Sequence, residues 1–158
     1  MDRKQDFRLS LQPPSFFAEA LEQALAAGPV YLGDEVRAPC REGSQRYALL
    51  QLFEEDARPH FFNLLVHVPQ GEFTLALADA ARELFSQLVV MDDGARALPS
   101  QYDENEELAA VVLYPVSGEA LLQYYSTLWN SEWYVAFVRS ENSIWQCSGI
   151  YDPRRDLD

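Results

Sequence analysis

Two histidines and two cysteines are the side chains of this sequence that could act as a neutral-pH base or as a nucleophile. His60 and His67 fall in one predicted strand, where they face opposite sides about 23 Å apart and do not form a catalytic pair. Cys40 lies in a predicted loop beside Arg41, and Cys147 lies in a predicted strand where we expect it to be buried. Neither cysteine has a local motif that supplies an activating base, and no Gly-x-Ser-x-Gly elbow is present. The sequence therefore predicts that the protein is not an enzyme.

Metal and cofactor sites are also not indicated. The acid runs at Asp92–Asp93 and at 103–107 lack the spaced ligands and central glycine of a calcium loop. The two cysteines lie far apart, without the spacing of a zinc site, a redox motif or a disulfide framework. No glycine-rich phosphate loop is present, and the chain has one lysine. We expect no metal and no cofactor.

The sharpest feature of the sequence is an acidic and aromatic stretch. From Ala97 to Val138 there is no lysine, arginine or histidine, yet the stretch holds six carboxylates and two of the three tryptophans. Acids interleaved with large rings suit a docking surface for a basic partner, whereas isolated acid runs are usually a solvated face. The competing interpretation is that these rings belong to the core, because large aromatics dominate domain interiors.

A partner-binding surface can be predicted from these residues together with a second acid run. Trp129 follows an apolar stripe beside Asn130 and Ser131, which suits a partly exposed anchor. The surrounding carboxylates would speed the encounter with a cationic protein. The candidate residues are Glu54, Glu55, Asp56, Asp103, Glu104, Glu106, Glu107, Trp129 and Glu132.

Composition places the chain among folded, acidic proteins. A length of 158 residues fits a single domain spanning 1–158, and 48% apolar residues are enough for one core. The formal charge of −13 disfavours binding to nucleic acid or to anionic membranes. The first residues form no apolar leader and no apolar run is long enough to span a bilayer, so we expect a cytoplasmic protein. Eleven of the twelve basic residues are arginine, which indicates a GC-rich bacterial genome.

The hydrophobic patterns predict an α+β domain, with about three helices packed on a mainly antiparallel sheet. The expected elements are a strand at 7–11, a helix at 15–27, strands at 30–32, 46–53 and 60–68, a helix at 74–88, an exposed loop at 92–107, a buried strand at 108–114, a third helix at 118–128 capped by Ser117, and a hairpin of 132–138 with 143–151. Strand order and oligomeric state do not follow from the sequence.

Three classes of function stay open. The first is an acidic, non-enzymatic inhibitor of the immunity type that neutralises a basic bacterial toxin or enzyme. The chain is similar to such proteins in size, charge and expected location, a likeness that covers no motif. The second is a small acidic secretion chaperone or adaptor that holds an extended segment. The third is an enzyme whose site is assembled from dispersed acids and tyrosines.

Overall fold

Three helices and one seven-stranded sheet form the molecule, as described by a computed structural model for residue 9 and residues 16–32, 46–52, 63–68, 71–98, 106–126 and 131–151. The α+β class predicted from the sequence is confirmed. In chain order the elements are α1 (Phe16–Ala27), β1 (Val30–Leu32), β2 (Tyr47–Gln51), β3 (Asn63–His67), α2 (Leu75–Ser86), α3 (Leu88–Arg96), β4 (Glu106–Tyr114), β5 (Glu119–Ser126), β6 (Ser131–Arg139) and β7 (Trp145–Tyr151).

The strands lie side by side in the order in which they occur in the chain. Every neighbouring pair is antiparallel except β3 and β4, which run parallel, with Leu64 opposite Val111. A parallel pair cannot be joined by a tight turn and needs a crossover connection. The two helices α2 and α3 lie in that crossover, so they separate the chain into a β1–β3 half and a β4–β7 half.

Helix α1 forms where the sequence predicts it. Its buried residues Phe17, Ala20, Leu21 and Ala24 recur at three- and four-residue spacing, which places them on one side of a helix. The helix ends at Gly28, whose backbone has a positive φ of 88° and whose N–H donates to the carbonyl of Ala24 at 3.1 Å. A glycine is suited to that position because it has no Cβ to clash in the left-handed region.

Helix α2 also begins where the sequence predicts it, and Thr74 is its N-cap. The Thr74 hydroxyl accepts a hydrogen bond from the backbone N–H of Leu77 at 3.3 Å. Ala78, Ala81, Leu84 and Phe85 face the core. The chain then continues through Gln87 into α3 instead of leaving the helical region.

Each face of the sheet carries buried side chains, but the two faces differ in size. On the face that packs against the helices, the helix face, one row of fully buried residues crosses five strands: Leu50, Leu64, Val111, Leu122 and Val135. The opposite face holds a smaller cluster of Tyr47, Val112, Tyr114 and Leu121. The strands of the sheet centre are therefore apolar on both sides, as parallel and central strands commonly are.

The predicted third helix is wrong. Residues 119–126 form β5, which pairs with β4 and with β6 along its whole length, and residues 115–118 form a turn with Ser117 in it instead of a cap. Leu121 packs on the opposite face, whereas Leu122 and Tyr124 pack on the helix face. A strand that is buried on both faces has apolar residues at consecutive positions, and some of these also fall at helical spacing. The pattern was therefore interpreted as a helix.

The predicted exposed loop at 92–107 is wrong at both of its ends. Asp92–Asp93–Gly94 lies within α3 instead of a turn, and β4 begins at Glu106 instead of Leu108. The buried strand predicted at 108–114, the antiparallel pair at 46–53 and 60–68, and the C-terminal hairpin are confirmed within the described residues. The strand predicted at 7–11 lies outside the described residues apart from Leu9, which is buried.

Cys147 lies in β7 as predicted, but its side chain is exposed. The expectation that strand position would bury it is wrong: Gln146, Cys147 and Ser148 are exposed in succession, so neither face of this part of β7 is covered by the described residues. Cys40, like His60, lies outside the described residues.

Candidate functional site

The candidate site is one end of the sheet, where β4, β5 and β6 extend beyond the termini of β2, β3 and β7. The pairing register places Gln51 opposite Asn63, Asn63 opposite Ala110, and Glu106 opposite Ser126. Ser126 in turn pairs with Ser131. We call this end of the sheet the acidic end. It is defined by the strand termini Gln51 (β2), Asn63 (β3), Glu106 (β4), Ser126 (β5), Ser131 (β6) and Tyr151 (β7).

The sequence-predicted binding residues occur in connections that leave this end. Glu54, Glu55 and Asp56 lie in the connection from β2 to β3, Asp103 and Glu104 precede β4, and Trp129 lies between β5 and β6. These six residues themselves lie outside the described residues. The same holds for the bases at 58, 154 and 155, which follow β2 and β7 in the chain. The topology thus brings the flanks of three segments, which are distant in sequence, to the same end of the sheet.

The remaining predicted residues belong to the strands. Glu132 is exposed at the start of β6, opposite Tyr125 of β5. Glu107 also pairs with Tyr125 across the sheet, but it is 2% exposed, so its carboxylate lies in the interior and does not present charge to a partner. Glu106 begins β4, and its side chain lies outside the described part of the structure. Glu132 is therefore the described carboxylate that a partner could reach at this end.

Each arginine of the described residues is engaged by other groups of the same chain, although Arg82 and Arg139 lie at the surface. Arg82 bridges Glu22 of α1 and Asp79 of its own helix, and its hydrogen bond holds the pKa of Glu22 below the ordinary value. Arg139 binds Glu83 through two hydrogen bonds of 2.7 and 3.0 Å.

The other two described arginines are engaged in the same way. The Arg96 guanidinium donates from Nε to both carboxylate oxygens of Asp92, at 3.0 and 3.1 Å. Arg46 donates to the Gly71 carbonyl and covers the ring of Tyr31 at 4.4 Å. None of the four therefore offers an unengaged positive charge to a partner.

Exposed carboxylates, by contrast, stand outside these ion pairs. In the described ranges the exposed acids that no arginine contacts are Glu19, Glu72, Asp93, Glu132 and Glu141. The surface field of this part of the molecule is accordingly negative, because its acidic side chains outnumber its arginines and three of those arginines are already paired with acids. Such a field attracts cationic partners and repels polyanions.

A buried carboxylate near the acidic end was missed by sequence reasoning. Asp92 is fully buried and accepts hydrogen bonds from three directions. The Tyr124 hydroxyl donates at 2.6 Å, the Leu9 backbone N–H donates at 3.0 Å, and the Arg96 guanidinium donates at 3.0 and 3.1 Å. The i, i+4 spacing of Asp92 and Arg96 was the available signal, but the adjacent glycine suggested a turn. This cluster ties α3, β5 and the N-terminal segment together, and it is structural because its donors and acceptor satisfy one another.

Most aromatic rings close to the acidic end are packed in the core and are not exposed to solvent. Tyr124 stacks on Trp133 with ring centroids 4.8 Å apart, and both side chains are buried. Tyr134 is 7% exposed, whereas Tyr125 is half-buried. Tyr114, at the far end of β4, is also buried. Most of the aromatic side chains predicted for the docking surface therefore form core, and Tyr125 beside Glu132 is the described ring that reaches the surface there.

Glu132 is linked to one of these rings. The Tyr134 hydroxyl donates to Glu132 Oε2 across a long 3.5 Å contact. Burial and, to a lesser extent, the neighbouring Glu132 carboxylate together raise the pKa of the Tyr134 phenol to about 12. The phenol is therefore neutral at physiological pH and serves as a donor to the carboxylate.

This raised pKa predicts an alkaline loss of stability. The unfolded phenol titrates near pH 10, so the contribution of the neutral phenol is fully present below about pH 10 and is lost as pH rises from about 10 through about 12. We expect the free energy of unfolding, measured with urea at a series of pH values, to fall over this window. A Tyr134→Phe variant should lose less. Identical pH profiles for the two proteins would contradict the assignment.

On the opposite face, three rings meet away from the acidic end. The hydroxyls of Tyr47 and Tyr114 lie 3.2 Å apart, and the His67 imidazole is tilted against both rings at centroid distances of 5.2 and 5.4 Å. Tyr47 is fully buried and Tyr114 nearly so. A histidine packed between buried rings and a strand pair is suited to a core role rather than to proton transfer with a substrate.

A groove of about 280 Å³ runs between α2 and the far end of the sheet. Asp79, Glu83, Arg139 and Trp145 contribute to its walls. Its charged groups are already paired, Arg139 with Glu83 and Asp79 with Arg82. The volume is at the lower limit of sites for small molecules, so the groove supports no substrate assignment.

Within the described ranges, no three histidine, cysteine, aspartate or glutamate side chains are grouped so that they could hold a metal ion. No helix in those ranges is both long and apolar enough to cross a membrane. Comparison with protein-family models, curated proteins and solved structures finds no match.

Proposed function

We propose that this protein is an acidic, non-enzymatic binding module of the immunity or inhibitor type, which neutralises a basic protein partner through the acidic end of its sheet. One observation carries the proposal: the strand pairing brings the flanks of the 54–56 run, the 103–107 run and the Trp129 segment to the same end of the sheet. Acid runs that are distant in sequence then act on one partner together.

Electrostatics supports a cationic partner. The described arginines are engaged by groups of the same chain, and Glu132 is exposed at the acidic end. Carboxylates of this kind act mostly on the rate of association, because they draw in an opposite charge over a Debye length. Tyr125 and Trp129 would supply the ring contacts that slow dissociation. Glu107 is removed from the proposed surface because it is buried.

Two charge-matched variants test this surface. The first neutralises four acids in the connections at the acidic end: Glu54→Gln, Glu55→Gln, Asp103→Asn and Glu104→Gln. The control neutralises four exposed acids elsewhere: Glu19→Gln, Glu72→Gln, Asp93→Asn and Glu141→Gln. Both proteins lose the same formal charge, so bulk repulsion and attraction change equally.

When the parent chain is immobilised on a support and exposed to a native lysate at low and moderate salt, we expect it to capture a basic protein. Purified and measured by surface plasmon resonance, that protein should associate with the acidic-end variant about tenfold more slowly than with the parent. The control should stay within a factor of about two or three, and higher salt should slow association for the parent. Equal losses in both variants, or a captured protein without basic character, would overturn the proposal.

A second candidate function, the adaptor or chaperone, is favoured by a different observation. The exposed apolar residues Val138, Ile144 and Ile150 lie on or beside the edge strand β7, where a sheet can accept another strand. Capture of an extended segment by this edge would not require basic character in the partner. An interaction that persists in high salt and survives both charge-neutralised variants would favour this candidate.

A further inference from the structure

The two faces of the sheet differ in charge. Residues two apart in a strand share a face, so Glu119 of β5 lies with Leu121 on the opposite face. Glu132 of β6 lies on the same face, because it pairs with Tyr125, four residues beyond Leu121. Arg139 of β6 lies on the helix face, where it binds α2. Among the described strand residues, the opposite face therefore carries carboxylates but no lysine or arginine.

Four side chains form a patch on the opposite face, close to the acidic end. Gln123 and Tyr125 of β5 pair directly with Tyr134 and Glu132 of β6, respectively. Directly opposed side chains of antiparallel strands have Cβ atoms about 4.5–5.5 Å apart, so these four can act on one group of a ligand. Glu132 is exposed, Gln123 and Tyr125 are half-buried, and Tyr134 is buried. We call these four residues the Tyr125 patch.

The carboxylate of the Tyr125 patch is held from one side and accessible from the other. The Tyr134 hydroxyl donates to Glu132 Oε2 across the long 3.5 Å contact, which orients the carboxylate. Within the described residues, no arginine contacts Glu132. A carboxylate has about four lone-pair sites, so both oxygens can accept further hydrogen bonds. Glu132 is therefore a preorganised acceptor for a cationic donor of another molecule.

The Tyr125 ring distinguishes one kind of cation from another. A planar guanidinium stacks on an aromatic ring while its N–H groups donate to a carboxylate, whereas an ammonium group is a compact and strongly hydrated point charge. In the Tyr125 patch, a half-buried ring lies directly across from an exposed carboxylate. This pair of groups offers a guanidinium both a stacking surface and an acceptor, whereas an ammonium group gains mainly from the acceptor.

We propose that the Tyr125 patch binds an arginine side chain of the basic partner, with the guanidinium stacked on Tyr125 and hydrogen-bonded to Glu132. This inference rests on the proposed function, because it names the group by which that partner is recognised. A divalent cation is a poorer occupant, since no three metal-ligating side chains are grouped within the described ranges. A lysine in place of the arginine is the alternative that the following experiment separates.

Two peptides of equal charge separate arginine recognition from a general attraction to positive charge. One peptide alternates arginine with glycine, and the other has lysine in place of every arginine. By fluorescence anisotropy at low salt, we expect the parent chain to bind the arginine peptide about fivefold more tightly than the lysine peptide. Equal affinity for the two peptides, tighter binding of the lysine peptide, or no binding of either peptide would overturn the proposal.

Two substitutions of Tyr125 test the role of the ring. Tyr125→Leu keeps an apolar side chain but removes the aromatic face, so the preference for the arginine peptide should fall below about twofold while the affinity for the lysine peptide stays unchanged. Tyr125→Phe retains the ring and should retain the preference. A preference that survives Tyr125→Leu, or that is lost equally in both variants, would contradict stacking on this ring. Thermal unfolding checks that both variants fold.

A matched pair of charge changes tests the carboxylate. Glu132→Gln should weaken binding of the arginine peptide about fivefold, because it removes the charged acceptor. Glu141→Gln removes the same charge from the β6–β7 turn, where Glu141 is exposed, and should change the affinity by less than about twofold. Equal effects of the two changes would show that the peptide senses net charge alone, and the arginine site would then be excluded.

The parent chain itself provides a test that needs no substitution. On addition of the arginine peptide, the backbone amide signals of Gln123, Tyr125 and Glu132 should shift in a ¹H–¹⁵N correlation spectrum. The signal of Val116, in the β4–β5 turn at the far end of the sheet, should stay in place. Shifts confined to other parts of the chain would place the peptide elsewhere and refute the site.

Failure of this site and failure of the proposed function give different results. If the two peptides bind equally while the acidic-end variant still slows association of the basic partner, the arginine site is wrong and the proposed function stands. If the arginine preference depends on Tyr125 while the acidic-end variant and its control associate with the partner equally, the arginine site is supported and the proposed function is wrong.

Discussion

An Asp92→Ala variant is expected to unfold with a free energy about 3–5 kcal/mol below that of the parent chain. The loss arises because Asp92 is fully buried and neutralises Arg96, which is itself 11% exposed. Without the carboxylate, the guanidinium stays in the interior without its counter-charge, and the Leu9 N–H and Tyr124 hydroxyl lose their acceptor. Urea unfolding followed by circular dichroism measures the difference.

The neighbouring aspartate provides the control for this prediction. Asp93 is exposed on the same helix, so Asp93→Ala should change the free energy of unfolding by about 0.5 kcal/mol or less. Asp92→Asn keeps an acceptor of the same size and should cost less than Asp92→Ala, which keeps the prediction measurable if the alanine variant does not fold. Similar stabilities for Asp92→Ala and Asp93→Ala would contradict the structural role of the buried cluster.

A Leu122→Ala variant is expected to lose about 2–5 kcal/mol of unfolding free energy. Leu122 is fully buried at the middle of the helix face, between Val111 of β4 and Val135 of β6. Truncation leaves a cavity whose walls belong to three hydrogen-bonded strands, and such walls cannot easily close around it. Thermal and urea unfolding should both show the loss.

The matched control for Leu122 lies at the surface. Leu75, at the start of α2, is 85% exposed, so Leu75→Ala removes the same atoms without opening a cavity and should change stability by no more than about 0.5 kcal/mol. A small effect at Leu122 would indicate that residues 119–126 do not pack as a central strand. That result would revive the helix predicted for this segment.

The strongest sequence patterns predicted their elements correctly. The apolar stripes of α1 and α2 and the alternation along β3 each point to one kind of structure, and the structure agrees. The segment at 119–126 was ambiguous because its apolar residues fit both a two-residue and a 3.6-residue period. Pairing with β4 and β6 on its two sides decides in favour of a strand, and pairing partners are not visible in a local window.

At the site, the sequence indicated which residues are charged but not how they are arranged. The acid runs and their lack of compensating bases could be read directly, whereas their shared edge depends on the parallel β3–β4 register, which no local pattern encodes. Glu107 was predicted as a surface carboxylate because acids are rarely buried, yet it lies inside. The burial of Asp92 was also missed, because two of its hydrogen-bond donors come from β5 and from the N-terminal segment, which are distant in sequence.

The single parallel pairing in the sheet has a consequence for the order in which the chain folds. Strands β4 to β7 each pair with the next strand along the chain, so this four-stranded meander needs only local turns to assemble. Strand β3 can join β4 only after the whole α2–α3 connection has closed, which adds the entropic cost of a long loop. The C-terminal half is thus expected to act as the folding nucleus, and the β1–β3 ribbon to dock onto it late.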